Sequence, residues 1–164
     1  MQTMTRRPIA QAASEFLANK RIAVTGVSRT NPTGHGSNAV YERLIARGYE
    51  VFPVNPNAET INGRRCYPNL KSIPGDVGAV VIGTRPDRAE ATVRECAELG
   101  IKYVWMHRSV DAGSVSPAAT EYGREHGITV IPGGCPLMFE PVGDGAHKMM
   151  KFVFTLTGAV PRTV

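Results

Sequence analysis

Near its amino end the sequence carries a glycine-containing stretch that suits phosphate binding. Gly26-Val27-Ser28-Arg29 follows a short run of apolar and β-branched residues, and Gly34, Gly36 and Ser37 follow within the next eight positions. From Ser37 onward Val40, Leu44 and Ile45 share one face of a helix. A strand that turns through glycines into a helix presents unpaired main-chain N–H groups and the positive end of a helix dipole, where an anion is stabilised. The hydroxyl of Ser28 and the guanidinium of Arg29 are suitable added donors. This pattern predicts a nucleotide-phosphate site. The competing reading is ordinary turns in a fold without ligand.

Which nucleotide is narrowed by what is missing. The dinucleotide fingerprint G-x-G-x-x-G is absent, and Asn55 stands at the end of the second predicted strand, where a nicotinamide dinucleotide wants an acid for its ribose. No Gly-Lys-Ser or Gly-Lys-Thr follows the loop, so it is not a Walker A motif. An NAD(P)-dependent oxidoreductase remains as the enzyme-class alternative, and an interaction module with an unused pocket as the third.

The elements that position these residues alternate. A helix is predicted over Ile9 to Ala18, packing on the sheet edge. Strands are predicted at Arg21 to Thr25, Glu50 to Val54, Val77 to Ile82, Lys102 to Met106 and Ile128 to Ile131. Between them lie helices after Gly36, after Pro86 with Ala89, Val93, Cys96, Ala97 and Leu99 inward, and after Pro117. A turn-rich passage from Ala58 to Pro74 includes a short helix around Leu70, and a last helix spans Gly145 to Thr157. Pro53 leaves the end of the second strand open, because a central strand would lose a ladder bond there. The alternation indicates α/β architecture: a three-layer Rossmann-like fold, with a parallel sheet of about five strands and helices on both faces. Ligands in such sheets lie at the carboxyl ends of the strands, near the reversal of strand order. The chain of 164 residues is read as residues 1–19, an N-terminal helical extension; 20–139, the Rossmann-like domain; and 140–164, a C-terminal helix packing on the domain or a partner. In that helix Met149, Phe152, Val153 and Leu156 line one side, covering the sheet or a second copy in a homodimer.

The run "VTGVSRTNPTGHGSNAVYERLIARGYEVFPVNPNAETINGRRCYPNLKSIP", followed by "VVIGTRPD", "GIKYVWMHRS" and "GITVIPGGCPLMF", resembles the CoA-binding domain family. That family shares its fold with the nucleotide-binding domain of the succinyl-CoA synthetase α subunit. The likeness covers about Lys20 to Phe139. It implies coenzyme A or an acyl-CoA as ligand. The diphosphate would lie on Gly26, Val27, Ser28, Arg29 and the Gly34, Gly36, Ser37 turn. Val54, Asn55 and Pro56 would border the adenosine, and Thr84, Arg85 and Pro86 would form the opposite lip. Arg85 or Arg88 would supply a further phosphate partner, each arginine having a solvated surface charge as its bland alternative. The synthetase's phosphorylated histidine belongs to a second domain that this chain does not match. The implied role is therefore a sensor or carrier without catalysis of its own.

The formal charge of +5 is spread along the chain, which argues against nucleic acid. No apolar run reaches membrane-spanning length and no signal peptide is visible, so the expected location is cytoplasmic, not membrane. Cys66, Cys96 and Cys135 form no C-x-x-C pair and fit a reducing compartment. Cys135 has two readings, a thiol at the site mouth that could pair with the CoA thiol, or a small buried residue. His107, His147 and Cys135 lack metal-ligand spacing. Trp105 and Met106 read as core.

Overall fold

A computed structural model describes residues 6–30, 36–108 and 113–164. Gly34, and with it the second half of the loop between the first strand and its helix, lies outside the described residues.

Five strands form one parallel sheet: β1 Arg21–Thr25, β2 Glu50–Val54, β5 Ala79–Ile82, β6 Tyr103–Met106 and β7 Thr129–Pro132, in the order β2-β1-β5-β6-β7. The α/β Rossmann-like reading holds. Every sheet strand is rich in apolar residues because both faces are covered. Alternation along the strands sorts the core into two halves. Ile22, Val24, Ala79, Val81, Trp105 and Ile131 face α1 (Ile9–Leu17), α2 (Gly36–Ala46) and the chain beyond β7. Ala23, Val80, Ile82, Val104, Met106 and Val130 face α3 (Pro86–Leu99) and α4 (Pro117–Glu125).

Trp105 is fully buried, its Nε1 donating to the Gly133 carbonyl at 2.9 Å, with the rings of Phe16 and Phe139 edge-on at 5.3 Å. The first helix thus lies over the sheet face, as well as meeting β7.

Pro53 is accommodated because β2 is an edge strand. Its carbonyl accepts from the Tyr67 N–H at 2.9 Å, on the side away from β1, and its missing N–H would have faced the same way. Around Leu70 there is no helix; bends and turns occupy that passage, and Leu70 is buried beneath α3. A two-stranded hairpin, β3 Thr60–Ile61 with β4 Arg64–Arg65, turns through Asn62 and Gly63, both at positive φ. That Asn-Gly pair is a hairpin signal.

One expectation for a helix face fails, and for another helix one of two readings is removed. Leu99, read as inward, is 43% exposed, because Gly100 at φ 74° closes α3 just after it has passed the sheet. On α5 (Gly145–Thr157), Met149, Phe152, Val153 and Leu156 are exposed, so they do not cover the sheet; Met150 and Phe154 pack there instead.

Candidate functional site

The chain reverses direction across the sheet at β1, whose neighbours are β2 on one side and β5 on the other. At the carboxyl ends of these strands lies a cavity of about 480 Å³, bordered by the loop after β1, the loop after β2, the 68–70 passage and one face of α3. Its volume falls in the small-molecule range of roughly 300–1,000 Å³.

The first loop is fixed from below by Asn38, a fully buried side chain in the opening turn of α2. Its Oδ1 accepts from the Ser28 N–H and its Nδ2 donates to the Ser28 carbonyl, both at 2.8 Å. Gly26, at φ 75°, brings that loop onto the one after β5: an added Cβ would meet the Gly83 carbonyl carbon at 2.4 Å. Gly83 in turn donates its N–H to Thr25 Oγ1 at 3.2 Å and leaves room for Ser37, whose Oγ would sit 1.7 Å from a Cβ there. These glycines therefore serve the close approach of three segments.

Of the residues singled out in the sequence, the structure brings Gly26, Val27, Ser28, Val54, Asn55, Pro56 and Thr84 to the wall of this cavity. Arg29 is exposed beyond it at the end of the described loop. Gly36 opens α2 beneath the His107 ring, with Cε1 2.9 Å from the position of a Cβ, and Ser37 is buried against Gly83. Neither lines the cavity. Arg85 points to solvent and pairs with Asp87 at 3.1 Å, while Pro86 starts α3. Arg88 does line the wall and forms no ion pair among the described residues. The structure thus separates two arginines that the sequence leaves equivalent.

Asn55 ties the two loops together: Nδ2 donates to the Val27 carbonyl at 2.9 Å and Oδ1 accepts from the Asn57 N–H at 2.8 Å. What it still offers a ligand is its second amide N–H. The Thr84 hydroxyl is buried at the cavity wall with no hydrogen-bond partner. The two carboxylates of the wall are engaged, Asp87 by Arg85 and Glu95 by the Lys71 N–H at 3.0 Å.

Sequence reasoning missed Asn38, Pro68, Asn69 and the α3 positions Ala91, Thr92 and Glu95. An asparagine on the inward face of a predicted helix was the available signal for Asn38. The 68–70 wall had none, because its placement depends on the long passage folding back beside β2.

Cys135 is not at the mouth. It is buried among the residues that face α1 and α2, and burial pushes its thiol up to about 12. A group protonated that firmly is neither nucleophilic nor accessible to the CoA thiol. His147 serves the start of α5: its ring Nδ1 and its N–H both meet the Asp144 carboxylate, at 2.8 and 2.9 Å, and Arg43 pairs with the same group at 3.2 Å. Among the described residues no group of three His, Cys, Asp or Glu is placed to hold a metal ion, and no helix is long and apolar enough to cross a membrane.

Known proteins share this framework. The acetate–CoA ligase [ADP-forming] II of Archaeoglobus fulgidus is 35% identical over 120 residues, 68% of this chain but 18% of the ligase. The chain therefore spans about a fifth of that relative's length. YneT of Bacillus subtilis, an uncharacterized protein, is 31% identical over 118 residues, covering 71% of this chain and 82% of YneT. Among solved structures, Prb, the PH1109 protein redesigned for binding, superposes with a TM-score of 0.70 at 29% identity, covering 91% of this chain and 92% of Prb. Residues 20–141 match the family described as CoA binding domain, and with the parallel sheet and the cleft at its switch point they make the chain a member of that family.

Proposed function

We propose that the chain binds coenzyme A or an acyl-CoA at the cleft after β1, β2 and β5, and that it does so as a sensor or carrier without turnover. The observation that carries this reading is the cavity at the carboxyl ends of β1, β2 and β5, which the Gly26-Val27-Ser28 loop and Arg88, without an ion pair among the described residues, both line. Diphosphate oxygens would take main-chain N–H groups of the Gly26-Val27 turn and the Ser28 hydroxyl, the Ser28 N–H being held by Asn38, with Arg29 and Arg88 as charged partners. Val54, Asn55 and Pro56 would border the adenosine, where an amide tolerates a 3′-phosphate that a carboxylate would repel. The chain is read as cytoplasmic, where CoA esters are made and used. The nicotinamide alternative is disfavoured by the same Asn55, already committed to Val27 and Asn57.

Thermal unfolding with CoA, 3′-dephospho-CoA, NADH and NADPH tests this directly. CoA at a hundred times its Kd adds about 2.7 kcal/mol of stability. A larger shift with NADH or NADPH, or no shift with any of the four, overturns the assignment. The second partner of the reading is another copy of the chain, meeting through the exposed Met149, Phe152, Val153 and Leu156 face of α5. Sedimentation of the protein and its Leu156→Glu variant checks it: the wild type should dimerise and the variant should not.

A further inference from the structure

At the end of the sheet away from the CoA cleft, β7 begins beside a second cavity of about 560 Å³. Arg6 and Arg7 before α1, Arg124 in the last turn of α4, Thr129 and Val130 of β7, and Thr163 near the end of the sequence line it. Three lining side chains are guanidiniums and none is a carboxylate. Arg7 is held in place, donating to Glu15 Oε2 at 2.6 Å and to Thr129 Oγ1 at 2.7 Å. Arg6 and Arg124 form no ion pair among the described residues, whereas Arg7, Arg21, Arg43, Arg64, Arg85 and Arg94 each do.

Main-chain donors add to this. The Thr129 N–H donates to Lys102 on the β6 side at 2.8 Å, so alternation turns the N–H of Val130 outward to the free edge of the sheet. Cationic forks from two stretches of chain, two threonine hydroxyls and an edge N–H thus converge on one concave wall that Val164 also lines and in which no side chain is a carboxylate.

We propose that this cavity binds a small organic polyanion, one bearing a phosphate or at least two carboxylates, independently of the CoA cleft. A guanidinium gives either group two parallel N–H donors, and the volume suits a small molecule. Arg124 also sits at the carbonyl end of α4, where a cation stabilises the helix without any ligand. That role alone predicts a less stable Arg124→Gln variant and no ligand response.

The test is an amide chemical-shift titration of the full chain at constant ionic strength, with inorganic pyrophosphate as the phosphate probe and citrate as the carboxylate probe. Expected are saturable shifts at Gly127, Ile128, Val130 and Thr163 with at least one probe, at a Kd of about 1 mM or tighter. In the folded Arg6→Gln/Arg124→Gln variant the affinity should fall by about tenfold or more, with that for CoA unchanged. Shifts confined to Gly26, Val27 and Ser28, shifts that persist in the variant, or no saturation overturn the proposal. So does a response to an oligoglutamate peptide alone, which would make this edge a strand-docking surface instead.

Discussion

Asn38→Asp probes how the loop after β1 is held, and its cost follows from two distances. The replacement keeps an acceptor for the Ser28 N–H but sets a carboxylate oxygen 2.8 Å from the Ser28 carbonyl oxygen, where Nδ2 now donates. One net hydrogen bond is lost, about 0.5–1.5 kcal/mol, and a buried acceptor faces another acceptor, about 1–3 kcal/mol more. The opening turn of α2 returns about 0.3–1 kcal/mol to a negative charge. The net loss at neutral pH is about 0.5–4 kcal/mol. A proton on the new carboxyl restores the donor, so its pKa in the folded protein is raised. Its contribution is then fully present below the unfolded carboxyl value, about 3.9, and is lost as pH rises through the folded value. Urea unfolding should therefore show a deficit relative to wild type at pH 7 that narrows toward pH 4. Asn38→Ala, which removes both bonds, should be destabilised by about 1–3 kcal/mol with no such pH dependence. Calorimetric titration should find CoA binding at least about tenfold weaker in the aspartate variant, because the loop is displaced and a charge is added beside the diphosphate. An aspartate variant with the wild-type urea midpoint and CoA affinity at pH 7 refutes the idea that Asn38 holds the loop.

Arg88→Gln should weaken CoA binding by about tenfold or more while Arg85→Gln changes it by less than about threefold, measured by the same titration, since only Arg88 lines the cavity. Gly83→Ala should lower the melting temperature by several degrees, about 1–3 kcal/mol, because its Cβ would lie 1.7 Å from Ser37 Oγ and 2.7 Å from the Thr25 carbonyl oxygen; an unchanged melting curve would mean the loops are not packed as described. Burial raises the Cys135 thiol from its ordinary value near 9 to about 12, so its contribution is complete below pH 9 and is lost as pH rises toward 12, at about 1.4 kcal/mol per pH unit. Cys135→Ala should flatten the alkaline limb of the stability curve by that amount, and the folded wild type should form no mixed disulfide between Cys135 and CoA under mild oxidation, as read by intact mass.

Much of the fold was legible because its information is local. Several strands are apolar runs closed by glycine, as β1, β5 and β7 are by Gly26, Gly83 and Gly133, and glycines stop α2 and α3, Gly48 at φ 86° and Gly100 at φ 74°. The errors fall where local pattern and tertiary placement part. Leu99 has the spacing of an inward residue but belongs to the last turn of α3, beyond the reach of the sheet. The stripe of α5 is apolar on the side turned from the core, so periodicity identifies the helix and leaves open which of its two candidate surfaces the stripe meets.

The site divides along the same line. Loop residues that follow strand ends were readable, because a parallel sheet sends all its carboxyl ends to one edge and Gly26, Val54 and Thr84 each come just after or at such an end. Whether a given residue faces the cleft was not, since that turns on contacts between loops distant in sequence. Gly26 looks like a phosphate glycine yet packs on Gly83, and Asn55 looks like a ribose ligand yet first clamps Val27. A loop that must receive a highly charged group has to be held before the ligand arrives, or the cost of ordering it is subtracted from affinity. Asn38, Asn55 and the glycine contacts supply that holding, so the residues most easily taken for ligands include those whose work is to keep the ligand's place open.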